Sequence, residues 1–121
     1  MKFTETHEWI RLEGKIGAVG ITLHAKEELG EVVYVELPTI GSKVKVGEEV
    51  CVLESTKAAA DVYSPVSGTI VEVNEELRSS PQKITEDPEG SGWLFRIEMD
   101  RPKDVDALLS KEQYERYVEG A

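Results

Sequence analysis

Val50-Cys51-Val52-Leu53-Glu54-Ser55-Thr56-Lys57-Ala58-Ala59-Ala60-Asp61-Val62-Tyr63-Ser64-Pro65 is the stretch around which the chain is arranged. An apolar run leads into it and a second strand-like run leads out. Lys57 therefore falls at the tip of a β-hairpin over about residues 50–63. Its neighbours Thr56 and Ala58 are short and leave the amine open to a large partner. Catalytic lysines are activated by desolvation or by a nearby cation, and a hairpin tip supplies neither. The setting suits covalent modification, because a modifying enzyme must enclose the amine and the attached group must then swing free.

The 121 residues make one domain over 1–121, and 40% apolar content fills one core. Acidic residues outnumber basic ones 24 to 14, a net charge of -10. Nucleic acids and anionic membranes are neutralised by Lys and Arg, so neither is an expected partner. The acidic surface instead favours steered encounters with basic faces of proteins. The single cysteine, Cys51, rules out an internal disulfide and fits a reducing compartment, and its apolar strand makes it a packing thiol. The N-terminal residues carry neither signal nor transit character and no apolar run reaches membrane-spanning length, so the cytoplasm is the expected location.

Elsewhere the pattern is mostly β. Trp9–Leu12 and Lys15–Val19 flank Glu13-Gly14, a tight hairpin turn. In Thr6-His7-Glu8-Trp9 the tryptophan reads as core and the polar residues as solvated. Thr22 and Gly30 bracket a short helix as N-cap and C′ residue, with Leu23, Ala25 and Leu29 facing inward. His24 has no second histidine or cysteine at ligand spacing and His7 is distant in sequence, so no metal site is expected. Glu31–Leu37 is the strongest strand. Val44–Val50 echoes Val71–Leu77 at an offset of 27 residues, which suggests two similar β units packed face to face about an approximate two-fold, the lysine hairpin at one end. Pro81–Gly92 reads as an irregular surface excursion and Trp93–Met99 as a half-buried strand. Helices over about 102–119 close the chain, with Val105, Leu108 and Leu109 on one apolar stripe and Ser110 and Gln113 as a capping box. This tail covers a flank and is assigned no chemistry.

No nucleophile elbow, phosphate loop or Cys/His cluster is present, so the protein is not expected to be an enzyme and no catalytic residue is assigned. Glu54-Ser55-Thr56-Lys57-Ala58, followed by Asp61-Val62-Tyr63-Ser64-Pro65-Val66-Ser67-Gly68, resembles the lipoyl-lysine segment of the glycine cleavage system H proteins. His7-Glu8-Trp9, Gly20-Ile21-Thr22, Leu29–Val33, Val35–Pro38 and Gly92-Trp93-Leu94 agree in order and spacing, so the likeness covers nearly the whole chain.

The resemblance implies a barrel-sandwich hybrid of two antiparallel sheets and a non-catalytic carrier with lipoic acid joined by an amide to Lys57. Glu54, Ser55, Thr56 and Ala58 would form the context read by the lipoate-attaching enzyme. In such a system a pyridoxal-phosphate glycine decarboxylase loads an aminomethyl group, a tetrahydrofolate-dependent aminomethyltransferase removes it, and a flavin-dependent dihydrolipoyl dehydrogenase reoxidises the dithiol. Tethering makes each successive encounter quasi-intramolecular once a partner has docked, and a monomer is expected. By the same analogy Thr6, Glu8 and Asp61 line the cleft that shelters the loaded arm, the carboxylates holding its protonated amine. Some positions depart from the family pattern: Glu28 stands where some members have a histidine, Leu23 for a common acid, Thr56 for a common valine and Glu89 for a common tyrosine. The rival readings are an H-like carrier used as a lipoate relay or in sulfur metabolism, a biotin carrier, and a cofactor-free interaction domain. Biotin carriers typically place methionine on both sides of the lysine, where this chain has Thr56 and Ala58.

Overall fold

The computed structural model describes residues 1–120. Nine strands form two separate antiparallel sheets. They are β1 (Lys2–Phe3), β2 (Glu8–Glu13), β3 (Ile16–Ile21), β4 (Val32–Glu36), β5 (Lys43–Val44), β6 (Glu49–Ser55), β7 (Ala59–Tyr63), β8 (Gly68–Val73) and β9 (Phe95–Met99). The six-stranded sheet has the order β1-β2-β3-β9-β8-β5, and the three-stranded sheet is β4-β6-β7. Alternation along the strands turns Ile10, Val19, Ile70 and Ile97 of the first sheet toward Val35, Leu53 and Val62 of the second, and all of them are buried in one apolar cluster.

Four helices decorate the sheets: α1 (Leu23–Leu29), α2 (Glu76–Ser79), α3 (Gln82–Glu86) and α4 (Lys111–Gly120). A 3₁₀ turn spans Pro102–Ala107, where a longer helix was expected. The predicted signals at α1 hold: Thr22 Oγ1 accepts from Ala25 N at 3.2 Å, and Gly30 takes φ 82°, a region that favours glycine. Leu23, expected to face inward, is instead 52% exposed, because it is the first residue of the helix and lies off the Ala25/Leu29 stripe. The capping box at α4 is closed both ways, with Ser110 N donating to Gln113 Oε1 (2.9 Å) and Gln113 N to Ser110 Oγ (3.2 Å).

The excursion read into Pro81–Gly92 is partly helical, since α3 lies within it and buries Ile84 completely. Proline is allowed at a helix start, so the Pro81 that signalled a break begins this helix. The two echoing segments diverge after their turns. Val44–Val50 passes through Gly47 (φ 82°) into β6, whereas Val71–Leu77 leaves β8 at Asn74 and enters α2.

A second cluster, Phe3, Trp9, Ala18 and Tyr114 with Trp93, Leu109 and Val118 against it, joins α4 to the six-stranded sheet. Phe3 and Tyr114 stack with ring centroids 4.9 Å apart. Among the described residues no helix is long and apolar enough to cross a membrane.

Candidate functional site

Strands β6 and β7 pair from Glu49↔Tyr63 to Glu54↔Ala59, which leaves Ser55-Thr56-Lys57-Ala58 as a four-residue turn. Ser55 N donates to Ala58 O at 2.8 Å across it. Two-residue hairpin loops favour positive φ at their central residues, yet Thr56 and Lys57 both avoid that region. The side chain of Ser55 compensates: its Oγ accepts from Lys57 N (3.1 Å) and Ala58 N (3.0 Å) and donates to Ala58 O (3.1 Å). Ser55 is thus the organiser of the tip.

The tip is also docked from outside. Thr56 N donates to Glu31 O at 3.1 Å, and the Lys57 stem passes over Gly30. A Cβ at Gly30 would stand 3.4 Å from Lys57 Cε. Lys57 itself is exposed and enters no ion pair among the described residues, as an acceptor of modification requires. Glu54 is exposed on the strand before it.

A cleft of about 270 Å³ begins beside Ala58 and runs between α1 and β7, lined by Leu29, Ala25, Leu53 and Ala60 and, at its far end, by Thr6, His7 and Glu8. The solvated state expected for Glu8 from its polar neighbours is overturned: Glu8 is 2% exposed. Its carboxylate accepts from Thr4 Oγ1 (2.6 Å), Thr6 Oγ1 (2.5 Å) and Tyr63 N (3.2 Å). Burial pushes its pKa above the usual carboxylate range, while these hydrogen bonds pull the other way. Among the described residues no cation is paired with it, so the acid in the cleft is buried and hydrogen-bonded but has no counter-ion there.

Of the other two cleft residues, Thr6 contributes its hydroxyl to Glu8 and Asp61 lines the wall. Asp61 is exposed and its carboxylate also reaches Glu49, whose pKa it raises, so it stands between the cleft and the outer sheet face.

Several residues that the sequence left without a role complete the site. His7, held at φ 73°, places Nδ1 2.7 Å from Tyr114 Oη. Tyr114 Oη in turn lies 2.8 Å from Thr22 Oγ1, so the C-terminal helix, assigned no chemistry above, fixes a cleft histidine. Burial first, and then His24, push the His7 imidazole below its ordinary value, with Glu28 opposing. His24, 17 positions later, stands 4.7 Å from the His7 ring, so sequence separation misjudged this pair. Glu89, a departure from the family pattern, accepts from Leu23 N at 2.9 Å and caps α1.

Comparison with known proteins shows one family along the whole chain. The family model described as Glycine cleavage H-protein matches residues 1–121. A glycine cleavage system H protein of Thermotoga maritima is 53% identical over 116 residues, 96% of this chain and 94% of the relative. One from Rubrobacter xylanophilus is 54% identical over 117 residues, 97% of this chain and 90% of the relative. The crystal structure of a glycine cleavage system H protein from Mycobacterium marinum superposes with a TM-score of 0.88 at 37% identity, covering 99% of this chain and 96% of that one. On a full-length family match, close relatives and a shared fold, the chain belongs to the glycine cleavage H-protein family, the lipoyl carriers of the glycine cleavage system.

Proposed function

We propose that Lys57 carries lipoate in amide linkage and that the chain, catalysing no step itself, moves between a pyridoxal-phosphate glycine decarboxylase, a tetrahydrofolate-dependent aminomethyltransferase and a dihydrolipoyl dehydrogenase in the cytoplasm. The observation that carries this reading is an exposed lysine at a docked hairpin tip, joined by a mostly apolar cleft to a buried carboxylate, neither with an ion-pair partner among the described residues. When bound, lipoate supplies a disulfide that accepts both electrons and a one-carbon amine unit from glycine.

The residues of this chain do the rest. Ser55 and the Glu31 carbonyl hold the tip, so an attaching enzyme meets one backbone shape while the Lys57 amine stays free. Leu29, Leu53 and Ala60 offer an apolar wall to a hydrocarbon arm and exclude water along it. Glu8, oriented by Thr4, Thr6 and Tyr63 N, receives an ammonium from the cleft at a buried position, where a carboxylate is worth more than in water. Asp61 adds negative charge at the wall and is the weaker contributor, being exposed.

The test is intact-mass measurement after expression with lipoate and a competent attaching enzyme. A lipoyl increment is expected on the wild-type chain and absent from Lys57→Arg. The loaded protein is then supplied to the decarboxylase in an exchange of labelled bicarbonate into glycine. An unmodified chain would favour a cofactor-free interaction domain. A modified chain that supports no exchange would favour the lipoate-relay reading.

A further inference from the structure

We propose that His7, His24 and Glu28 form a binding site for a divalent transition metal, with Zn²⁺ as its test ion, at the rim of the cleft. This goes beyond the carrier role and does not depend on it. The ligand atoms of these residues all lie within 4.8 Å of one another. Donors around a tetrahedral Zn²⁺ stand about 3.4 Å apart when each is about 2.1 Å from the ion, so the set closes when its most widely spaced donors draw in by about 1.4 Å or less. Two imidazoles and one carboxylate are the donor types Zn²⁺ takes in sites that keep a fourth position open.

Each ligand is positioned by an independent feature. His24 and Glu28 are four residues apart on α1 and share one face, already hydrogen-bonded through His24 Nε2 and Glu28 Oε1. An ion there takes the Nε2 lone pair of His24 and a Glu28 carboxylate oxygen, the single proton of the neutral ring moving from Nε2 to Nδ1 by exchange with solvent. His7 is brought in from the loop before β2: its carbonyl accepts from Thr22 N at 3.1 Å, and its N–H donates to Thr4 O at 3.2 Å. We assign the imidazole proton to Nδ1, donating to Tyr114 Oη at 2.7 Å, while the tyrosine hydroxyl donates to Thr22 Oγ1. That tautomer leaves the Nε2 lone pair of His7 for the ion. The outward chain His7–Tyr114–Thr22 is the kind of second support that orients metal-bound imidazoles.

His7 and Glu28 line the cleft while His24 does not, so a bound ion stands at the rim with its open position accessible to a fourth ligand. Thiolate sulfur is among the donors Zn²⁺ prefers.

The experiment uses the full-length, tag-free chain carrying Lys57→Arg, so that no thiol is attached near the site. Zn²⁺ is titrated by calorimetry in a non-chelating buffer, and the ring resonances of His7 and His24 are followed by NMR. One ion per chain is expected at micromolar concentration, with both histidines shifted together. His24→Gln should weaken binding at least tenfold. Tyr114→Phe, which keeps the ring that stacks on Phe3 and removes only the hydroxyl that orients His7, should weaken it about 10–100-fold with all three ligands retained. Thermal unfolding without metal establishes that each variant is folded. The proposal is overturned by absence of binding up to about 1 mM Zn²⁺. It is equally overturned if the folded His24→Gln chain binds as the parent does, or if Tyr114→Phe leaves the affinity unchanged, which would mark a loose surface histidine pair.

Discussion

Ser55→Ala isolates the claim that one hydroxyl organises the hairpin tip. The substitution removes a group that accepts from Lys57 N and Ala58 N and donates to Ala58 O, while leaving the Ser55 N to Ala58 O backbone bond available. Net hydrogen bonds contribute about 0.5–1.5 kcal/mol each. The two N–H groups are exposed and water can replace the lost acceptor, so the lower half of that range applies to each. Together they give about 1–2 kcal/mol, a roughly 5–30-fold larger population of the open tip. Amide exchange by NMR reads this directly: the residue-55 amide should exchange about 5–30-fold faster, while amides in β3 and β9, remote from the turn, keep their rates. The initial rate of lipoate attachment should fall by no more than the same factor, and Ser55→Thr should restore both. If exchange at residue 55 is the same in wild type and Ser55→Ala, the hydroxyl does not hold the turn, and the local account of Lys57 presentation is wrong.

Glu8 gives a pH signature. Its folded pKa is raised above the ordinary value near 4.5, so its contribution to stability is fully present below that value and is lost as pH rises through the folded pKa. The Tm of the wild type relative to Glu8→Gln should therefore increase as pH falls from 7 toward 4.5, and a pH-independent difference would count against a buried ionised carboxylate. Cys51, 2% exposed and pushed up to about 12 mainly by burial, carries about a thousandfold less thiolate at pH 8 than a thiol at 9 would. Ellman's reagent should leave the native chain unreacted and titrate one thiol per chain after denaturation. Gly20→Ala puts a Cβ 2.6 Å from Trp9 Cζ2, against a ring that is fully buried and pinned by Nε1 to Pro88 O at 2.9 Å. The ring cannot retreat, so the change should cost about 1–3 kcal/mol, a fall of roughly 4–15 °C in Tm by calorimetry, and an unchanged Tm would refute the rigid packing.

What was legible in the sequence is what local chemistry determines. The 50–63 hairpin, the Thr22 and Gly30 ends of α1 and the Ser110/Gln113 box all depend on residues within a few positions of one another, and all stand where expected. The local pattern alone made His7 and Glu8 solvated and gave the C-terminal helix no part in the site, and only the family resemblance put Glu8 in the cleft, because these environments are assembled over long separations. The His7 to Tyr114 bond spans 107 residues and the Tyr63 N to Glu8 bond spans 55. A polar tripeptide before a tryptophan has the same local pattern whether the carboxylate faces solvent or a cleft. Pro81–Gly92 misled for another reason: proline and glycine mark ends of elements, and α3 is short enough to fit between such marks.

The position of Glu8 also explains why hairpin and cleft act as one device. Tyr63 belongs to β7, one arm of the lysine hairpin, and its N–H donates to Glu8 on β2 of the other sheet. At the opposite end of that hairpin, Thr56 N is bound to Glu31 O, directly after α1. The hairpin is therefore fastened at its tip to the backbone that follows α1 and at its base to the Glu8 carboxylate, so the path from the Lys57 backbone to the buried acid is fixed at both ends. The Lys57 side chain is left with its own rotamers and, among the described residues, no ionic partner. A group tethered at Lys57 thus has freedom to leave toward solvent and a fixed place to return to, and this combination follows from one hydrogen bond within the three-stranded sheet and one between the two sheets rather than from any property of the lysine.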